Sequence, residues 1–279
     1  MATIQNLKKK LQVILSTKKI TKAMKTASTV KYSKLSALYS DCEKYEEQCR
    51  RMYENYRNDI NSVFAIKNID APSLYILLTS DKGMCGSFNT ELTVFFGKII
   101  KEQSTPPKII VCGKKGIDYL DSKKIGYTKS YLFSDTPAYS DADEMFREIK
   151  SLIESGEISS VKIVYPKYLN MMMQRPVCEE LFTFDNGTTP EGDEPLFVPD
   201  RQTVIHCTAE KILVSILYKK ILETALGAQA ATLTTMRTAY DSACEYSEQL
   251  EIQINRKRQS QVTADVIEIS SEYTMKEEE

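Results

Sequence analysis

LSALYSDCEKYEEQCRRMYENY, Leu35 to Tyr56, is the stretch whose reading decides the fold. Its apolar and aromatic residues fall at Leu35, Leu38, Cys42, Tyr45, Cys49, Met52 and Tyr56, alternating three and four apart, which is the seam of a coiled coil. Upstream, Ile4, Leu7, Leu11 and Ile14 keep the same spacing in a different phase, so a stutter between the two runs is expected. Near the other end, Leu233, Met236, Tyr240, Ala243, Ser247, Leu250 and Ile254 repeat the pattern, with further apolar residues extending it both ways. Helices over 3–60 and 203–270 would be roughly 90 and 100 Å long. Each carries one narrow stripe and needs one main partner, and the chain must return, so the two pair antiparallel. Facing the two regular seams pairs positions that sum to about 290, Leu35 with Ile254 and Tyr56 with Leu233. Two helices alone cannot cover the apolar faces around Leu213–Leu226, so other elements must pack there.

Turn-forming residues mark where the helices stop. All nine Pro lie between Pro72 and Pro199, and nine of the ten Gly lie between Gly83 and Gly192; Gly227 is the exception. The middle therefore reads as α/β. Strands are expected at 73–80, 108–112, 161–165 and 177–184, and helices at about 90–103, 114–124 and 141–155. This alternation implies a largely parallel sheet covered on both faces. Asp185–Asp200 reads as a surface loop. The organisation expected is a helix over 1–60, an α/β (Rossmann-like) foot over 61–200, and a helix with an acidic tail over 201–279.

Several function classes fall away. No apolar run approaches the ~18 residues of a membrane span. The N-terminus has no h-region, so the chain reads as mature protein. Seven Cys with no CxxC pair, and a single His, argue for reduced thiols and against a structural zinc site. The net charge of −1 is unevenly spread: residues 1–34 carry nine Lys and no acid. That basic helix is the main functional signal. It reads either as a solvated face or as a docking surface for an acidic partner, and a basic coiled-coil adaptor or nucleic-acid-binding protein is the alternative class. With seams summing to about 290, Arg256, Lys257 and Arg258 lie beside Lys31 and Lys34 and near Lys22 and Lys25, forming one basic collar.

No catalytic constellation emerges. The loop Asp81-Lys-Gly-Met-Cys-Gly86 sits where α/β folds bind phosphate but matches neither G-x-G-x-x-G nor Walker A, so Gly83 and Gly86 read as turn formers. Cys85 reads as a packed thiol, since the only His, His206, is far along the chain and no motif links them. Asp141, Asp143 and Glu144 read as ordinary acids at a helix N-terminus. No catalytic, metal or cofactor site is expected.

These residues resemble the gamma subunit family of the F-type ATP synthase. Ser16-Thr-Lys-Lys-Ile-Thr-Lys-Ala-Met24 and Lys31 are similar to its N-terminal signature, Ser80-Asp-Lys-Gly-Met-Cys-Gly-Ser-Phe-Asn89 and Gly113-Lys-Lys-Gly116 to its central loops. Thr235-Met-Arg-Thr-Ala-Tyr-Asp-Ser-Ala243 and Asn255-Arg-Lys-Arg-Gln259 resemble its C-terminal signature. The resemblance implies a non-catalytic rotor that transmits torque between a membrane c-ring and a head of three alpha and three beta subunits. Its foot would touch epsilon and the c-ring, and the membrane would be met only through the complex. Rotor–stator contacts then fall to Lys18, Lys22, Met24, Lys25, Arg256, Arg258 and Gln259. Asp81, Gly83, Cys85 and Gly86 form a structural loop. No nucleic acid and no cofactor are expected on this chain. The cytoplasmic face of a bacterial membrane is favoured over the mitochondrial matrix.

Overall fold

A computed structural model describes residues 3–56, 68, 70–103, 105–181 and 200–277, with side chains up to 270. In chain order the elements are α1 (Ile4–Asn55), β1 (Leu74–Leu78), α2 (Phe88–Lys101), β2 (Lys108–Cys112), α3 (Lys114–Lys123), β3 (Lys129–Tyr131), α4 (Tyr139–Glu154), β4 (Val161–Asn170), β5 (Met173–Glu180) and α5 (Arg201–Glu277). The α/β middle flanked by two long helices is the expected fold class. Most of the expected loop 185–200 lies outside the described residues. The described chain forms two compact units, and the division cuts across both long helices: one unit is 1–27 with 235–279, the other 28–234.

In the larger unit, the sheet order is β3-β2-β1-β4-β5. β1 pairs parallel with β2 and with β4, and β2 with β3, whereas β4 and β5 form an antiparallel hairpin. β1 is central because LYILL is apolar on both faces and every residue in it is buried. On one face, Leu74, Ile76, Leu78, Ile110 and Ile163 pack against Met145, Phe146 and Ile149 of α4 and Ile212, Leu213 and Leu217 of α5. On the other, Tyr75, Leu77, Ile109 and Val111 meet Leu92 and Phe96 of α2 and Leu120 of α3. The sheet and α4 thus cover the apolar faces of α5 that a second helix alone could not.

The hairpin corrects the expected strand 177–184, which runs instead from Met173 to Glu180. Its tip, Asn170–Met173, contains no Gly or Pro. The Asn170 side chain substitutes for them, its Oδ1 accepting the backbone N–H of Met172 and of Met173 at 2.9 Å each.

The structure also corrects the α1 seam. Leu38, Tyr45 and Met52 are exposed, while Leu7, Thr21, Ser28, Leu35, Glu46 and Cys49 are buried. The inward stripe passes through 4, 7, 11, 14, 18, 21, 25, 28, 32, 35, 39, 42, 46 and 49 in one unbroken phase. No stutter is present. The α5 seam follows the sequence reading, with Met236, Ala243, Ser247 and Leu250 buried.

The pairing register differs as well. In the larger unit, Leu35 packs with Leu222 and Leu226, and Glu46 pairs with Lys219 at 3.0 Å. In the smaller unit, Lys18 and Lys25 both lie over the Tyr240 ring. Paired positions sum to about 260, not 290, in each unit. The polar seam residues carry their own partners, which lowers the cost of burying them. The Thr21 hydroxyl donates to the carbonyl of Thr17, and Glu46 is met by Lys219 and Arg50. Burial raises the Glu46 carboxyl, but the bonds and charge of Lys219 and Arg50 outweigh it and hold the group below its ordinary range.

Gly227 lies within the uninterrupted α5, so it neither ends nor breaks the helix. A Cβ there would meet Phe88 Cε2 at 3.2 Å and Gln174 Cγ at 3.4 Å. Phe88 is itself buried and has little room to retreat. The ~1 kcal/mol that alanine gains in a helix is therefore expected to be offset. Gly227→Ala should destabilise the chain slightly, by about 0.5–1 kcal/mol, as read by urea unfolding. A clear gain in stability would show that the contact relaxes freely.

Candidate functional site

The basic face is built on the helix pair of the smaller unit. Lys18 Nζ lies 5.9 Å and Lys25 Nζ 5.5 Å from the centroid of the Tyr240 ring. Two turns of α1 separate the two lysines, so they stand on the same stripe and reach one ring from different levels. The Cys244 thiol, one turn along α5 from Tyr240, is the foremost neighbour that raises the Lys18 ammonium above its ordinary range, with Tyr240 and Glu248 adding to it. Met24 is half-buried, and Lys22, Arg256, Arg258 and Gln259 are exposed. Among the described residues, Lys18, Lys22, Arg256 and Arg258 make no ion pair.

The expected single collar does not form. Lys31 belongs to the larger unit, where it pairs with Asp135 at 2.5 Å. A register of about 260 sets Arg256–Arg258 level with the first turns of α1, about four to six turns from Lys18 and Lys25. The basic residues therefore form two zones.

At the carboxyl ends of β1 and β2, where α/β sheets commonly hold ligands, lies the loop Ser80–Asn89. It is closed by its own side chains. Asn89 Nδ2 donates to Ser80 Oγ at 2.8 Å and to Cys85 Sγ at 3.1 Å, while the Ser80 N–H donates to Asn89 Oδ1. Cys85 is buried against Phe88 and Ala228, a packed thiol. Met84 and Gly86 take left-handed φ of 66° and 59°, which makes the tight turn. Gly83 has only Lys115 Cε, at 3.7 Å, near the position of a Cβ.

The N-terminus of α3 supplies the amides that would bind an anion in a phosphate site. Here the chain fills them. Asp81 Oδ1 accepts from the Lys114 N–H at 2.9 Å, the Ser80 carbonyl from Lys115, and Thr79 Oγ1 from Gly116 at 2.8 Å. A cleft opens beside this loop, lined in part by Lys82, Phe133, Asp135, Ala225 and Gln229. Its charge is internally matched. Asp135 accepts from Lys31 and Lys82, and these bonds hold its carboxyl below the ordinary carboxylate range.

The remaining candidates have structural roles. Asp141 accepts the Ala138 N–H at 2.9 Å and caps α4, and Asp143 pairs with Arg147. His206 Nδ1 lies 4.0 Å from Glu210 on the same helix. Among the described residues, no group of three His, Cys, Asp or Glu is placed to hold a metal, and no helix is long and apolar enough to cross a membrane. The sequence reading missed Tyr240, Asp135 and the Glu46–Lys219 pair. Of these only Tyr240 carried a signal, as the one aromatic residue in the 233–254 seam.

Comparisons with known proteins match the chain along most of its length. A family model described as ATP synthase matches residues 3–273. The ATP synthase gamma chain of Rubrobacter xylanophilus is 30% identical over 282 residues, covering 97% of each chain. That of Pelagibacter ubique is 30% identical over 287 residues, covering 97% of this chain and 98% of its own. A chain in the OSCP/F1/c-ring structure of the Euglena gracilis mitochondrial ATP synthase, rotational state 3, superposes with a TM-score of 0.71 at 17% identity, covering 97% of this chain and 93% of that one. At that identity the likeness concerns the fold.

Proposed function

This chain belongs to the ATP synthase gamma family, and we propose from that premise which of its residues meet the stator. The subunit is a non-catalytic central rotor. It passes torque between the membrane c-ring and the alpha and beta subunits of the head, which handle the nucleotide, and it belongs to a membrane-associated complex as a peripheral part. Epsilon and the c-ring are its partners at the other end. The reading of a basic adaptor or nucleic-acid-binding protein gains no support from any relative.

Lys18, Lys22, Met24, Lys25, Arg256, Arg258 and Gln259 are proposed as rotor–stator contacts, with acidic loops of the beta subunits as the complementary surface. The observation that carries this is the smaller unit's pair of zones whose cations Lys18, Lys22, Arg256 and Arg258 make no ion pair among the described residues. Charges arranged in this way steer and register an acidic partner. The loop Asp81–Gly86 is proposed as purely structural, which its internal hydrogen bonds favour, and the chain is proposed to carry no cofactor. The location proposed is the cytoplasmic face of a bacterial membrane, a reading supported by the bacterial origin of the relatives named above.

Charge reversal tests the contact. Lys22→Glu with Lys25→Glu should lower ATP-driven proton pumping by at least about tenfold in sealed membrane vesicles carrying the complete complex, head subunits and c-ring included. The isolated chain should keep its helical circular dichroism. Unchanged pumping would remove these lysines from the contact.

A further inference from the structure

Two ammonium groups of the same sign converge on one tyrosine. Lys18 and Lys25, on α1, both lie within 6 Å of the Tyr240 ring centroid on α5. A carboxylate at this seam position would hold either lysine more strongly. It would also cancel its charge. An aromatic face attracts a cation through its quadrupole and leaves the full charge to act on whatever lies outside. The ring is half-buried in the helix seam and offers a flat surface against which two flexible four-carbon stems can be ordered.

We propose that Tyr240 is a positioning residue: its ring, which brings no opposite charge, orders the Lys18 and Lys25 side chains across the helix pair, so that both are ready-placed for an acidic surface of the stator. This rests on the assignment of those lysines as rotor–stator contacts. The gain lies in preorganisation, because a lysine already ordered loses less side-chain freedom when it docks. The hydroxyl is not required for this. Phenylalanine should replace tyrosine, and leucine, which fills the seam without a π face, should not.

The test uses the full chain and its complex with alpha and beta subunits. With lysines reductively 13C-methylated, which keeps their charge, the Lys18 and Lys25 methyl resonances should show upfield ring-current shifts. These should disappear in Tyr240→Leu and persist in Tyr240→Phe. Affinity for the alpha–beta ring at low salt should fall about two- to fivefold in Tyr240→Leu and be retained in Tyr240→Phe. In a Lys18→Gln/Lys25→Gln background, Tyr240→Leu should cost nothing further.

Methyl shifts that are the same in Tyr240→Leu would overturn the proposal. So would an affinity loss of equal size in the double-glutamine background, which would mean that the ring acts by packing. If the shifts respond but the double-glutamine chain binds as tightly as the parent, the rotor–stator assignment of these lysines fails. The purpose assigned to Tyr240 fails with it, although the ring's hold on the lysines stands.

Discussion

Gly113→Ala is expected to lower the stability of the chain by about 3 kcal/mol or more, making it one of the two most damaging small substitutions proposed. Gly113 sits at the N-terminus of α3 with φ of 93°, a backbone region that L side chains avoid. The added Cβ would also fall 2.3 Å from the Thr79 carbonyl oxygen and 2.6 Å from Thr79 Oγ1. Neither atom can yield cheaply. The Thr79 N–H is bonded to the Cys112 carbonyl at 2.8 Å, and Thr79 Oγ1 donates to that same carbonyl while accepting from Gly116. Backbone strain and a clash with fixed backbone therefore add. Urea unfolding followed by far-UV circular dichroism measures the loss. A cost below about 1 kcal/mol would mean that the β1 and β2 ends shift apart more easily than their bonds imply.

Leu35→Ala should cost about 2–5 kcal/mol. Leu35 is fully buried, and Leu222 and Leu226 of α5 form its cluster, with Tyr32, Tyr39 and Cys42 around them. Truncation leaves a cavity between two helices that are each held elsewhere, so the gap cannot collapse fully. A double-mutant cycle turns this into a test of register. Leu35→Ala and Leu222→Ala should be non-additive by at least about 0.5 kcal/mol, whereas Leu35→Ala and Ile254→Ala should add. The opposite pattern would restore the pairing in which Leu35 faces Ile254.

That test aims at the place where the sequence misled. The α5 seam was legible because Met236, Ala243, Leu250 and Ile254 are apolar or small and regularly spaced. The α1 seam was not, because its inward positions include Lys18, Thr21, Lys25, Ser28 and Glu46. A pattern built on hydrophobicity skips such residues and settles on Leu38, Tyr45 and Met52, which lie outside. The register error has a separate origin: the two regular stretches, 35–56 and 233–254, were matched end to end, and a repeating seam does not state which turn faces which. The strand core was readable for the opposite reason: LYILL and KIIVC are continuous apolar runs. β3 was missed because three residues, KSY, carry too little pattern. The hairpin turn was missed because Asn170 does the work usually given to glycine. For the candidate site, the identities of the lysines were legible, but their grouping was not. Grouping depends on register, and the sequence holds no statement of what lies across from Lys18.

The Asp81 carboxylate at the start of α3 has a thermodynamic consequence. Any ligand that binds only the folded state ties stability to its own concentration. A vacant set of helix amides at the end of a parallel sheet would do that for phosphate and for nucleotide tails, the species whose levels rise and fall around the catalytic head. Here Lys114, Lys115 and Gly116 already have acceptors from within the chain. The occupant is covalently tethered, so its effective concentration does not vary. If the chain carries no such ligand, as proposed above, this part of the rotor is uncoupled from the energy charge of its surroundings.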